Sequence, residues 1–355
     1  MLYRTYNRGA NYYCFFSRDK HCDFDDSSAS YYRHIYRWSV SAIRCCFCCL
    51  LCSWNVLASV LLLICSNSDA AENGNYSYMP GSSSCFSAEI PPAPGLYYFN
   101  QLNYFHQKSL YDGDGNKRNV GLDVKGVINS FRFIYVWDTT PLGMSAFSSQ
   151  LIIPTGYIDM SMSAAHSRGY DRGVGDIIFN PAYGKWQLTT WLYMVAGLDF
   201  VLPTGAYDKN NLINMGNNYW SIQPVMGLRY NNPSGLDIAI NPRYSFNTRN
   251  DDTKYISGDS LYLDFVFGWH FGPFEPAFLG GFWKQMTTDK QGGVNIGNRA
   301  QKLTIGPGIS YRWKYFNFIA EYQHDYLAEN TSGGDTFWIN ISMPLTGSLL
   351  DGQYK

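Results

Sequence analysis

Charged and polar side chains recur at even spacing in several stretches of this chain. Asp237, Asn241 and Arg243 form one such set, and Glu321, Gln323 and Asp325 form another. An extended strand sends alternate side chains to opposite faces, so each set shares a face. Asp199, Arg229, Tyr262, Asp264, Arg312 and Trp338 fall on the equivalent face of their own stretches. If that face lines an enclosed lumen, two chemistries are open to it. The mixed charges pair with one another, because an unpaired buried ion is costly, or they form a polar path for a solute. Tyr193, Trp191, Tyr262 and Trp338 share this parity, placed either to contact an aromatic solute or simply to fill volume.

Other constellations are weaker. Asn247, Asn250, Thr253, Ser257, Gly258 and Asp259 crowd one segment; such residues set turns by bonding local backbone, and the alternative is ligand or cation contact. Asp112, Asp114, Asn116 and Asp123 loosely echo a calcium loop, but Lys117 and Arg118 occupy its middle and no glycine stands at its sixth position. A lipase-type enzyme would need a serine, a histidine and an orienting polar group in reach. His324 lies on an apolar parity between Tyr322 and Tyr326, which suits a girdle residue, and no GxSxG, HExxH or Walker A pattern is present. No catalytic residue, metal or cofactor is expected.

The elements that carry these faces have a greasy opposite side. After Gly258, Leu261, Leu263, Phe265, Phe267, Trp269 and Phe271 oppose Ser260, Tyr262, Asp264, Val266, Gly268 and His270. Strands are expected at 95–107, 120–137, 143–153, 174–183, 186–201, 218–230, 235–248, 258–271, 274–286, 299–313, 315–328 and 335–345. Long connections (108–119, 154–173, 202–217, 249–257, 287–298, 329–334) alternate with short ones (138–142, 184–185, 231–234, 272–273, 314). Outer-membrane barrels have this asymmetry, with short periplasmic turns and long outer loops. The expectation is an all-β, 12-stranded antiparallel transmembrane β-barrel with both termini in the periplasm. A phase change near Asn129 suggests a bulge, and Pro224, Pro242 and Pro307 inside strands suggest others. The sequences Pro154-Thr155-Gly156 and Pro203-Thr204-Gly205 each look like a strand end opening a long loop.

Composition agrees. Charged residues are 15 % of the 355, below the roughly 25 % of ordinary soluble domains, and aromatics are 17 %. A formal net charge of −1 argues against nucleic acid as a partner. Eight of the nine cysteines lie at or before Cys65, so no disulfide scaffold runs through the body. Residues 1–36 read as a disordered or overlong extension. Residues 37–71 read as a signal peptide: basic flank, apolar run, then small residues at Ala70 and Ala71. Residues 72–93 are expected as a periplasmic leader, 94–345 as the barrel and 346–355 as a tail.

From about 173 to 345 the chain resembles the MetA-pathway of phenol degradation family, a SphA-like group of outer-membrane barrels. The matching stretches are Gly173-Val-Gly-Asp176, Pro203-Thr-Gly-Ala-Tyr-Asp208, Gly216-Asn-Asn-Tyr-Trp-Ser221, Ser257-Gly258-Asp259 with Asp264, Gly306-Pro307 and Gly334-Asp335 with Phe337-Trp338. The tail after Leu345 departs from the family's terminal-strand ending, which puts an assembly signal at Asp335–Leu345. The resemblance implies the outer membrane of a Gram-negative bacterium and passive uptake of small hydrophobic or aromatic compounds. The implied partners are the lipid bilayer, such a solute and the barrel-assembly machinery. A structural or surface-interaction barrel, whose lumen 72–93 would plug, is the alternative, and a lipase-type enzyme the third.

Overall fold

The computed structural model describes residues 72–347 and Leu350. The expected extension, the signal segment and most of the tail lie outside the described residues. Twelve long strands build the wall: β1 Gly95–Tyr111, β2 Leu122–Val136, β3 Ala146–Met162, β4 Ile178–Gln187, β5 Leu192–Val201 and β6 Ser221–Asn231. They continue as β7 Leu236–Asn247, β8 Ser260–Trp269, β9 Phe274–Gln285, β10 Gln301–Trp313, β11 Phe316–Glu329 and β12 Ser332–Pro344. Each pairs antiparallel with its neighbour in sequence, and β12 returns to pair with β1 from Tyr97↔Pro344 to Leu110↔Ser332. Closure satisfies the wall's backbone groups internally, which hydrocarbon demands.

The outside of this wall is greasy. On β8, Ser260, Tyr262, Asp264, Val266 and Gly268 are buried, while Phe267 and Trp269 are exposed. Phe267 on β8 and Phe278 opposite it on β9 are 56 % and 63 % exposed, too much contiguous aromatic surface for water. At the short-turn end Trp137, Trp191, Trp269, Phe271, Phe274 and Trp313 are all exposed. Aromatic rings at that level suit a membrane interface.

Several expectations need correction. The loop-length alternation holds until the last hairpin, where Asn330 and Thr331 alone join β11 to β12, with Asn330 at φ 49°. The Ser/Gly-rich run reads as a loop, yet Gly333 and Gly334 are in the strand. A Cβ on Gly334 would lie 2.0 Å from the His106 carbonyl, so glycine is needed for close approach to β1. Pro154-Thr155-Gly156 lies inside β3, which runs on to Met162 and there pairs with an added strand, Ser167–Val174. Only its second copy ends a strand. The prolines at 224, 242 and 307 keep their neighbours' register. Register breaks instead at Gln107/Ser109, Ser148/Gln150, Phe179/Tyr183 and Leu303/Thr304. β2 pairs without a shift through Asn129. Its phase blurs because both faces are apolar there: Val127, Phe131 and Phe133 face outward, while Leu122, Val124, Ile128 and Ile134 face inward.

Residues 72–93 occupy the lumen and do not lie beyond it as a leader. The segment starts among the long loops, where the Glu72 N–H donates to Ser257 and Asn250 donates to the Glu72 carboxylate. It leaves at the short-turn end, where Phe86 meets Phe99 edge-on and Gly95 begins β1. Its small and polar residues present many backbone groups, and the wall's polar face provides their partners.

Candidate functional site

The plug leans on one side of the barrel. Asp264 of β8 accepts hydrogen bonds from the Tyr78 hydroxyl and from the backbone N–H groups of Gly81 (2.8 Å) and Ser83 (3.0 Å). Tyr262 and Trp283 stack at 6.2 Å, and Tyr78 and Tyr76 meet them edge-on. Gln323 donates to the Gly81 carbonyl and Gln101 to the Ser82 carbonyl. Arg229 of β6, 2 % exposed, clamps the lower plug by donating to the carbonyls of Cys85 (2.8 Å) and Ser87 (3.1 Å) and to Glu89 (3.2 Å). Its other edge holds Asp237 at two points. Backbones come together where a Cβ on Gly281 would lie 2.1 Å from the Gly81 nitrogen.

Asp237, His270 and Glu275 bring possible metal-ligand atoms within 4.8 Å of one another. Arg229 already occupies both carboxylate oxygens of Asp237, so a cation there would face a guanidinium. The group reads as an ion network closing the short-turn end.

The other side of the lumen is not filled by the plug. A cavity of about 300 Å³ lies between the plug and the inner faces of β1–β7 and β12. Its upper wall is apolar: Leu110, Leu122, Val124 and Met160 pack with Ile213 of the long 202–220 connection, and Phe105 and Ile158 flank them. Lower down it is polar. Arg243 holds Asp199, which also accepts from Asn180. Arg243 donates to Gln223 (2.8 Å) and sits 4.2 Å over the Tyr78 ring. Arg132 also lines the cavity and donates from Nε and Nη2 to Gln150 (3.1 and 2.6 Å).

The structure divides the residues singled out from sequence. Asp199, Asn241, Arg243 and Trp338 line the cavity. Arg229, Asp237, Tyr262, Asp264, Glu321 and Gln323 are buried away from it, against the plug or in the wall's own network. Asp325 pairs with Lys302 at 3.3 Å. Arg312 keeps the inward parity but is exposed at the end of β10, and Trp191 is exposed ahead of β5. The loop motif forms the rim. Asn247 caps Ser257 and Gly258 and donates its N–H to Asp259; Asn250 reaches Glu72 and Tyr207; Thr253 accepts from the Tyr255 N–H. Burial beside Asp289 pushes the Tyr255 phenol up. Asp112 bonds its own turn through Asp114 and Asn116, while Asp123 pairs with His106 and Lys125, so no calcium loop assembles. His324 pairs with Asp335 on the outer face, and the hydroxyl at that carboxylate belongs to Tyr322. Sequence reasoning missed Arg132, Gln150 and the apolar inner face; the blurred alternation of β2 was the readable signal.

A closed antiparallel wall with a lipid-suited exterior and a polar, partly filled lumen defines an outer-membrane β-barrel. The chain belongs to the family described as "Putative MetA-pathway of phenol degradation", which matches residues 108–341. Among solved structures it resembles the COG4313 outer membrane channel from Pseudomonas putida F1, with TM-score 0.66 and 16 % identity, over 72 % of this chain and 97 % of that one. That likeness is one of fold. The translocator domain of autotransporter NalP from Neisseria meningitidis gives TM-score 0.44 and 11 % identity, over 71 % of this chain and 88 % of that one. No curated protein matches. The protein is placed in the outer membrane of a Gram-negative bacterium.

Proposed function

We propose that the protein is a passive uptake channel for small hydrophobic or aromatic compounds, and that the cavity beside the plug is their way through. The carrying observation is an apolar chamber inside a barrel whose lumen, in a water-filled porin, would be polar. A family description that names phenol degradation supports it, as does a structural relative that is an outer membrane channel. Asp199, Asn241, Arg243 and Trp338 flank the solute. Arg229, Asp237, Tyr262, Asp264, Glu321, Gln323 and Asp325 hold the plug and stiffen the wall. The reading is non-catalytic. β12 would carry the signal for the barrel-assembly machinery. Cells producing the protein should accumulate labelled naphthalene faster than cells lacking it, with no gain for a hydrophilic sugar of similar mass. A structural, surface-interaction barrel is the second reading, favoured by the dense plug bonding at Asp264 and Arg229. Unchanged naphthalene uptake together with a sealed conductance trace would establish it.

A further inference from the structure

The cavity's charges are not balanced one for one. Two cations line it, Arg132 and Arg243. Arg243 is neutralised by Asp199. Of the lining carboxylates, Glu89 is held by Arg229, and Asp176, at the long-loop end, accepts backbone N–H groups from Gly205 (3.0 Å) and Asn217 (2.8 Å). Among the described residues no carboxylate forms an ion pair with Arg132. Its partners are the neutral Gln150 amide and the Phe99 ring, 5.5 Å from the guanidinium carbon. Asp199 lies near enough to attract Arg132, but its hydrogen bonds go to Arg243 and Asn180. A guanidinium within a low-dielectric wall and without a direct ion-pair partner is costly, and a ligand carboxylate would offset that cost.

The geometry suits such a ligand. Gln150 takes the Nε–Nη2 edge, which leaves the Nη1–Nη2 edge for the two oxygens of a carboxylate, the fork geometry arginine recognises. Ile152, opposite Arg132 on β3, and Ile178, opposite Ile152 on β4, line the same cavity and give the ligand's body an apolar wall beside the guanidinium. Cavities of this size accept small organic molecules with a few well-placed polar contacts.

We propose that the cavity selects amphipathic monocarboxylates, an aromatic or short aliphatic body bearing one carboxylate, with Arg132 as the residue that reads the charge. The inference rests on the cavity being the solute site proposed above. The probes are benzoate, ionised at neutral pH, and benzyl alcohol, its neutral counterpart. Binding is followed by isothermal titration to the full barrel in lipid nanodiscs, with wild type, Arg132→Met and Arg132→Lys. Wild type should favour benzoate about ten- to a hundredfold, the range of a charge-assisted hydrogen-bonded contact. Arg132→Met should remove that preference and leave benzyl alcohol unaffected. Arg132→Lys, which keeps the charge, should retain a reduced preference and serves if the Met variant does not fold. Equal affinity of wild type for the two probes, or equal weakening of both by Arg132→Met, overturns the carboxylate selectivity alone. Binding of neither probe removes the solute cavity itself, and the selectivity with it.

Discussion

Asp264→Ala is the most informative perturbation of the plug. The wild-type carboxylate, 1 % exposed, is the shared acceptor for the Tyr78 hydroxyl and the N–H groups of Gly81 and Ser83. Truncation leaves three buried donors without it. A hydrogen bond to a charged group contributes about 1.5–3 kcal/mol, and three that share one acceptor are not additive, so about 3–5 kcal/mol of plug seating is at stake. At roughly 1.4 kcal/mol per decade, the unseated population should rise about a hundred- to a few-thousandfold. Single-channel recording in planar bilayers reads this directly: the variant should show larger or far more frequent openings than wild type. A heat-modifiable gel shift confirms that the barrel is folded. A folded Asp264→Ala protein with the wild-type conductance trace would refute the reasoning, because Asp264 would then not be what seats the plug.

Gly281→Ala should unseat the plug by sterics alone, since its new Cβ would fall 2.1 Å from the Gly81 nitrogen; the same recordings should show increased opening with no charge changed. Arg229→Met strands Asp237 and releases Glu89 and two plug carbonyls, so the barrel should lose about 3–5 kcal/mol in urea unfolding from vesicles. Replacing Asp237 by Leu in that variant should recover part of the loss. Burial raises the Asp176 carboxyl above its ordinary range although it caps Gly205 and Asn217. The folded loop therefore holds its proton at a pH where the unfolded chain has released it, and its stability is greatest in acid and declines as pH rises through the raised value. Hydrogen-exchange protection of the Gly205 and Asn217 amides, corrected for intrinsic rates, should fall as pH rises above about 4, and Asp176→Asn should flatten that slope.

The wall was legible because lipid imposes a strict rule: β8 reads greasy outside and polar inside at single-residue resolution, from Ser260 to Trp269. The same rule misled at β2. There the inner face meets an apolar cavity, so Val124 and Ile128 look as lipid-facing as Val127. The plug was misread for a different reason. Residues 72–93 have no periodicity, since their partners are Asp264, Arg229 and Gln323, more than a hundred positions away in the chain. Polar parity placed Arg229 and Asp264 inside the lumen but could not tell plug anchor from solute path. Arg132 escaped notice because its significance is the lack of a direct ion-pair partner, which only three-dimensional packing reveals.

The most direct test of solute passage beside the plug is naphthalene uptake by cells producing Val124→Trp, which fills the cavity from β2. Val127→Trp, three residues along on the lipid face, is the control. The expected result is uptake falling to the level of cells without the protein for Val124→Trp and remaining at wild type for Val127→Trp. Equal uptake by both variants, with both barrels folded, would contradict a route through this cavity.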